Sequence, residues 1–189
     1  MNYKHNREQV IKKGIELFWN NGYHNLGVDK ICKETGMTKG AFYNAFKSKE
    51  LFLCSAIDSY GLIITTHLQA QLSSNKKAFE KLLDLYENML QAVTKTNYKG
   101  CLVNNMMTEM AVYSTAISSL TETHFNNFIK AIEPTVKMAQ QDKDLTNTLD
   151  SMVLTELIHT TFFGLLTRSR SSKASSFELM KSFLFTLKN

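Results

Sequence analysis

The chain has 189 residues, of which 43% are hydrophobic; this excludes a disordered polypeptide and provides enough apolar material for a core. No uninterrupted apolar run approaches the roughly 18 residues of a membrane-spanning helix, and no signal-peptide pattern opens the sequence. Residues 1–50 carry nine Lys/Arg and five Asp/Glu, a balance of +4, whereas the remaining residues have a balance of +1. A basic end on a near-neutral body indicates a nucleic acid partner for that end, although a solvated lysine-rich surface would give the same balance.

The other chemistry-bearing residues point away from catalysis. The cysteines are odd in number and widely spaced, which argues against a disulfide framework and predicts a reducing, cytoplasmic setting. The histidines of the body lack metal-ligand spacing, so no metal site is expected. No phosphate-binding loop, paired carboxylates or Cys–His–acid constellation is found, so neither a cofactor nor enzymatic activity is expected. An enzyme that uses a cysteine or a histidine as nucleophile or base is the alternative that this absence disfavours.

The first fifty residues predict three short helices. One proline and little strict alternation indicate an all-α fold throughout. The first helix is predicted over Arg7–Asn21 and ends at Gly22, where a left-handed residue is needed. The second is predicted over Val28–Thr35 and ends at Gly36, and Thr38 caps the third. Two helices joined by a tight turn, followed by aromatic residues and lysines, suit a helix that enters the DNA major groove, although an ordinary three-helix unit with a polar face has the same spacing.

Between residues 7 and 58 the sequence contains a dense set of short motifs: GY at 22–23, VDKI at 28–31, GMTKG at 36–40, FY at 42–43, F at 46 and SKEL at 48–51. These motifs resemble the N-terminal DNA-binding domain of the TetR family of bacterial transcriptional regulators. The resemblance implies an all-helical homodimer with a variable ligand-binding body. It also implies, for most members, repression that is relieved when a small molecule binds.

The resemblance also implies roles for individual residues. The start of the recognition helix contacts bases and phosphates through small residues, which let the backbone come close to DNA. Tyr43 and Lys49 match positions that commonly touch phosphates. The residues predicted to contact DNA are Val28, Thr38, Lys39, Gly40, Ala41, Tyr43, Asn44, Lys47 and Lys49.

Two positions depart from the family pattern. Members often have Thr or Ser where this chain has Gly27, and the hydroxyl there caps the second helix and reaches a phosphate. Members also often have His or Tyr where this chain has Ala45. We therefore expect a weaker grip on the DNA backbone at both points, with Lys4, Arg7 or Lys47 as replacements.

The remainder of the chain is predicted to be a helical bundle, so that residues 1–50 form the DNA-binding domain and 51–189 the effector-binding and dimerisation domain, with about nine helices in all. Pro134 lies inside one helical pattern and predicts a kink. The penultimate helix is predicted over Met152–Leu166, followed by a polar loop over Arg168–Ser176. A capping box of Ser175 and Glu178 is predicted to open the last helix.

The two C-terminal helices are apolar on several faces, which suits a symmetric four-helix dimer interface. The alternative is that both helices close the core of a monomer. Dimerisation would provide two DNA-binding heads, one helical turn apart, for a palindrome. The residues predicted at this interface are Leu157, Phe162, Gly164, Leu165, Met180, Phe183 and Leu184.

Effector binding is predicted from adaptable methionines, aromatic rings and a histidine in the body, each of which is also an ordinary core residue. The predicted pocket residues are Tyr86, Met89, Met106, Met110, Phe125, Phe128, His159 and Phe162.

Cys101 follows Gly100 at the start of the segment GCLVNNMMTEMA, where helix N-terminal amides could lower the pKa of a thiol and raise its reactivity. The segment looks like one in a branch of the TetR family, some of whose members respond to electrophiles or oxidants through cysteine. A small buried hydrophobe near a helix cap is the structural alternative for this residue. The sequence as a whole therefore predicts a TetR-like repressor of a palindromic operator, released by a small apolar or amphipathic effector. The alternative is a thiol-based sensor that acts through Cys101.

Overall fold

The computed structural model of the chain describes residues 6–188. Within this range it contains α-helices and no strand, as the sequence predicts. The helices are α1 (Arg7–Asn21), α2 (Val28–Thr35), α3 (Lys39–Phe46), α4 (Lys49–Leu72), α5 (Ala78–Lys95), α6 (Leu102–Met110), α7 (Thr115–Gln141), α8 (Ser151–Ser172) and α9 (Phe177–Thr186).

Helices α1 and α2 have the predicted bounds and α3 begins after the predicted cap, because the residues that end or begin these helices are recognisable in the sequence. Gly22 has a φ of 71° and its N–H donates to the Phe18 carbonyl at 2.8 Å, which ends α1. Gly36 has a φ of 72° and ends α2 in the left-handed conformation. The Thr38 side chain accepts from the Ala41 N–H at 3.2 Å and so caps α3.

Aromatic packing fixes the orientation of these helices. Phe42 and Phe46, four residues apart on α3, are buried, and their ring centroids lie 5.4 and 4.6 Å from that of Phe52 on α4. Gly14 on α1 permits this packing, because a Cβ at that position would lie 2.5 Å from the Phe52 ring. The apolar side of α3 is therefore held against α4, which leaves the opposite side for solvent or a partner.

Two predictions about the C-terminal helices were wrong. The segment Arg168–Ser176 was predicted to be a loop, but α8 continues to Ser172 and ends where Lys173 adopts the left-handed conformation. Ser169 is buried and its hydroxyl donates to the Leu166 carbonyl, so a polar sequence is accommodated inside the helix.

Pro134 lies inside α7, as predicted; the kink itself stays a prediction.

The predicted capping box at the start of α9 is also corrected. Ser176, not Ser175, is the N-cap residue. Glu178 is therefore the second residue of the helix, one position short of the third position that a reciprocal bond needs. Ser175 instead accepts a long hydrogen bond, 3.4 Å, from the Phe177 N–H.

The described residues form two compact units. One contains the residues up to Ile63 together with Leu102–His124; the other contains Ile64–Cys101 and the residues from Phe125 onwards. Thus α6 and the beginning of α7 belong with the DNA-binding helices, which sequence reasoning did not anticipate. The functional boundary at residue 50 stays a prediction.

One helix of the described residues, α4, is long and apolar enough to cross a membrane by length and composition alone. A core helix of a soluble protein passes the same test, so this is weak evidence. Two polar residues in the first half of α4 contact other parts of the chain. Lys49 donates to the carbonyls of Tyr23 and Leu26, and Asp58 contacts His124 of α7. The absence of a membrane partner stays a prediction.

Candidate functional site

The exposed side of α3 is the candidate DNA-reading surface. Thr38, Lys39, Gly40, Tyr43 and Asn44 are exposed there. The Thr38 oxygen accepts the capping bond, so its O–H remains a donor suited to a phosphate oxygen. Of the other predicted contacts, Lys47 is exposed, whereas Val28, Ala41 and Lys49 are partly buried.

Lys39 is held by an ion pair. Its ammonium lies 2.6 Å from the Asp29 carboxylate on α2, and both side chains are largely exposed. The hydrogen bond and the charge of Asp29 raise the pKa of Lys39. This pair points the lysine towards α2, and it sets a negative charge beside the helix that is predicted to approach phosphates.

We expect Asp29→Asn to strengthen DNA binding several-fold at low salt, because it removes that negative charge and frees Lys39. The gain should shrink as salt is raised, since the interaction is solvent-exposed. Glu34→Gln is the matched control, because Glu34 lies on the same helix but faces Lys13, at 3.8 Å. Fluorescence anisotropy on labelled DNA measures the affinity of both variants. Equal gains in affinity would contradict a specific effect of Asp29 on Lys39.

Gly27 leaves α2 without a capping side chain. The residue has φ −81° and ψ 153°, a conformation open to any L-residue, and a Cβ there would meet nothing within 4 Å. The site can therefore accept the hydroxyl residue that the family pattern often has at this position.

We expect Gly27→Ser to raise the free energy of unfolding by a few tenths of a kcal/mol through the new cap. We also expect it to tighten DNA binding by adding a phosphate contact. Gly27→Ala adds the Cβ without the hydroxyl and is the control. Binding that improves equally in both variants would argue against a phosphate contact at this position.

Two charged side chains, Lys49 and Glu109, hydrogen-bond to the backbone of the turn between α1 and α2, residues 22–27. The Lys49 ammonium donates to the carbonyls of Tyr23 and Leu26 at 3.0 and 3.1 Å and lies 3.9 Å from the Tyr23 ring centroid. The Glu109 carboxylate of α6 accepts from the N–H groups of Tyr23 and His24 at 2.9 and 3.2 Å. Partial burial lowers the pKa of Lys49, and the Glu109 charge acts in the opposite direction. With two of its three donors used inside the chain, the phosphate contact of Lys49 stays a prediction.

Glu109 has no cation near it in the sequence that would suggest a partner. Its partners are backbone amides 85 and 86 residues away, which no local pattern reveals. The close approach of this carboxylate also requires a glycine at position 22, since a Cβ there would lie 2.9 Å from a carboxylate oxygen. The Ser114 hydroxyl, between α6 and α7, donates to Glu50 of α4 at 2.6 Å, so this segment also contacts the N-terminal helices.

We expect Glu109→Ala to release the turn. Charge-assisted hydrogen bonds contribute about 1.5–3 kcal/mol each when buried, and less in a partly exposed position such as this one. Hydrogen exchange at the Tyr23 and His24 amides should accelerate at least tenfold, while α3 amides keep their protection. Glu109→Gln, which retains an acceptor oxygen, should give a smaller effect. Unchanged exchange in the alanine variant would show that the carboxylate does not hold the turn.

Comparison with known proteins gives the family. The family described as bacterial regulatory proteins, tetR family, matches residues 10–53, and the tetracyclin repressor-like C-terminal domain matches residues 78–177, more than half of the chain. The chain belongs to the TetR family. It is therefore a DNA-binding transcriptional regulator, and the family consists of regulators rather than enzymes.

Individual relatives are distant. The transcriptional repressor DhaR of Mycobacterium sp. (strain GP1) is 24% identical over 87% of this chain and 82% of its own length. The repressor NemR of Escherichia coli K12 is 22% identical over 97% and 92%. The crystal structure of E. coli NemR in its reduced form has a TM-score of 0.83, with 18% identity over 96% of this chain and 95% of its own. The regulator FadR of Bacillus subtilis, solved with stearoyl-CoA, has a TM-score of 0.74 with 20% identity over 94% and 95%. Structural likeness at these identities shows the TetR fold alone.

The predicted effector residues divide between the two compact units. Met106 and Met110 are buried in the unit that contains the DNA-binding helices, and Met89 is partly buried on α5. The others surround His159 in the second unit and form, together with Phe163, what we call the His159 cluster: Tyr86, Phe125, Phe128, Phe162 and Phe163. Phe163 was not among the predicted pocket residues, although it lies four residues after His159 on the same helix.

The predicted dimer interface needs correction. Phe162, Met180 and Leu184 have exposed fractions of 1%, 0% and 0%, so they belong to the core of the single chain and cannot meet a partner's surface. Leu157 is 48% exposed and Gly164 is exposed, while Leu165 and Phe183 are partly exposed. Other apolar side chains of α8 and α9 are also exposed, and we call them with Leu157 the α8–α9 apolar patch: Met152, Val153, Leu179 and Phe185.

Cys101 immediately precedes α6 and is buried, with 8% of its surface exposed. This burial agrees with the alternative of a small core residue, and a reagent would need local opening to reach the thiol. Among the described residues, no group of three or more His, Cys, Asp or Glu side chains is arranged to hold a metal ion.

Proposed function

We propose that this chain is a cytoplasmic repressor that binds a palindromic operator as a homodimer and is released by a small apolar or amphipathic effector. The observation that carries the proposal is the exposed α3 surface on a chain that belongs to the TetR family. Gly40 on this surface is exposed and has no neighbour within 4 Å of where a Cβ would lie. The repressors DhaR and NemR, similar over most of their length, support the sign of regulation.

The homodimer is supported by the α8–α9 apolar patch. Large apolar side chains left exposed on two successive helices of one chain indicate an interaction surface, and closed two-fold symmetry is the commonest arrangement of homo-oligomers. A two-fold dimer presents two α3 helices to two half-sites, which gives the palindrome.

Release by an effector is supported by the body's buried aromatic cluster and by the ligand in one structural relative, FadR with stearoyl-CoA. The coupling route that we propose runs through α6. Glu109 links this helix to the α1–α2 turn, and α4 and α7 each continue from one compact unit into the other. An effector that shifts these helices would change the separation of the two α3 helices of the dimer.

A second candidate is a thiol sensor acting through Cys101. The position of this residue at the beginning of α6 favours it, because modification there would act on the helix that carries Glu109. Cys101→Ser separates the candidates: if an oxidant releases operator DNA from both the native and the serine protein, the thiol reading fails.

The proposed function is tested by measuring binding to the DNA upstream of the protein's own gene. Fluorescence anisotropy monitors this binding at several salt concentrations. The expected result is tight binding of two protomers per site that weakens steeply with salt, because lysines displace counterions from phosphates. Binding that is absent, or equal on unrelated DNA of the same length, would overturn the proposal.

A further inference from the structure

The imidazole of His159 is enclosed by aromatic rings and has an unused nitrogen. The side chain is 1% exposed, and the neighbouring ring centroids lie between 4.9 Å, for Phe163, and 6.2 Å, for Tyr86. Within the part of the chain that the structure describes, Nε2 has no hydrogen-bond partner. A buried polar atom left unpaired costs free energy, so its partner is expected from outside the chain, as an internal water or a ligand.

The other imidazole nitrogen determines what that partner must be. Nδ1 lies 3.5 Å from the Tyr86 hydroxyl. If Tyr86 donates to Nδ1, the ring proton is on Nε2 and one donor is left unpaired. If Nδ1 donates instead, both the Tyr86 O–H and the Nε2 lone pair are left without partners. The first arrangement leaves fewer buried groups unpaired, which favours the tautomer that carries its proton on Nε2.

The ring is also uncharged. Complete burial lowers the pKa of His159 to about 3, and burial raises that of Tyr86 well above its ordinary value. The pair is therefore neutral throughout the physiological pH range. A single neutral donor does not offset the desolvation of a fully buried carboxylate, whereas it is a sufficient partner for an uncharged oxygen.

We propose that His159 is the recognition residue of the effector site and that it selects uncharged molecules with an aromatic or similarly apolar body and a hydrogen-bond acceptor such as a carbonyl oxygen. The rings of the His159 cluster contact the apolar body, and Nε2–H donates to the acceptor. A hydrocarbon of the same shape is rejected because it leaves the donor unpaired, and a site of this kind discriminates strongly against such analogues. This inference rests on the proposed function, because it assigns the chemistry of the same effector.

Three matched probes test the selectivity: acetophenone; α-methylstyrene, in which a methylene replaces the carbonyl oxygen; and benzoate, which carries a charge. Calorimetric titration should show acetophenone binding at least tenfold more tightly than α-methylstyrene, and no binding of benzoate. In ¹⁵N-histidine spectra, with His159 assigned from a His159→Gln variant, the proton should be on Nε2 and that nitrogen should respond to acetophenone.

Two variants connect the selectivity to the residue. His159→Phe should abolish the difference between acetophenone and α-methylstyrene, and His159→Gln, which retains a donor, should restore part of it. Tyr86→Phe should reduce the difference, because it removes the group that fixes the tautomer. Thermal unfolding confirms that each variant is folded. Equal binding of the two neutral probes to the native protein, binding of neither, or a proton on Nδ1 would overturn the inference; each of these results fits an internal water in place of a ligand.

In a parallel experiment, the same protein preparations are mixed with labelled upstream DNA, and anisotropy measures operator binding and its release by each probe. A protein that binds this DNA but does not distinguish the probes overturns the inference and leaves the proposed repressor standing. A protein that binds the probes as expected but not the DNA overturns the proposed function instead.

Discussion

Gly40→Ala should make the protein more stable and, at the same time, a poorer operator binder. Gly40 is in the first turn of α3, is exposed, and would present a Cβ that meets nothing within 4 Å. Glycine inside a helix costs roughly 0.5–1 kcal/mol relative to alanine, so the free energy of unfolding should rise by that amount. On DNA the added methyl group occupies space that the backbone needs in order to approach phosphates and base edges.

We expect a loss of operator affinity of at least tenfold, and a larger loss for Gly40→Leu. Chemical denaturation measures the first effect and anisotropy on operator DNA the second. Because the two effects have opposite signs, misfolding cannot imitate the result. A variant that is stabilised but binds DNA unchanged would show that α3 does not dock by its N-terminal end.

Leu157→Asp should convert the protein to a monomer. Leu157 is 48% exposed in the single chain, so the aspartate leaves the core intact, but in a two-fold interface each copy would bury an unpaired carboxylate. Light scattering after size-exclusion chromatography should give a mass near 21.6 kDa for the variant and twice that for the native protein.

Operator affinity should fall by at least about 100-fold in the same variant, because two linked heads bind a palindrome with an effective concentration that a monomer lacks. Val112→Asp is the matched control, since Val112 is 87% exposed and lies outside the α8–α9 apolar patch. If the control also lost its dimeric state, or if Leu157→Asp remained dimeric, the α8–α9 interface would be refuted.

The sequence predicted the DNA-binding helices closely because their ends depend on local chemistry. Gly22, Gly36 and Thr38 each determine a helix end through their own backbone or side chain. The end of α8 was missed for the opposite reason: a polar, serine-rich run reads as a loop, although serine hydroxyls can bond to carbonyls of their own helix.

Contacts between distant segments were not predictable. Glu109 contacts amides 85 and 86 residues away, and nothing in its own segment indicates that partner. The apolar faces of α8 posed a related problem. The sequence shows that several faces are apolar, but only packing reveals that Phe162 faces the chain's own core while Leu157 faces outward.

Hydroxyl-radical footprinting of the DNA upstream of the protein's own gene tests most directly the claim that two copies of the α3 surface read a palindrome. We expect two protected stretches of related, inverted sequence on one face of the duplex, with centres about 10 base pairs apart or a multiple of that distance. Protection should weaken at both stretches together in Gly40→Ala and in Leu157→Asp. A single protected stretch without an inverted partner, bound equally well by the Leu157→Asp monomer, would contradict the reading of a palindrome by two α3 surfaces.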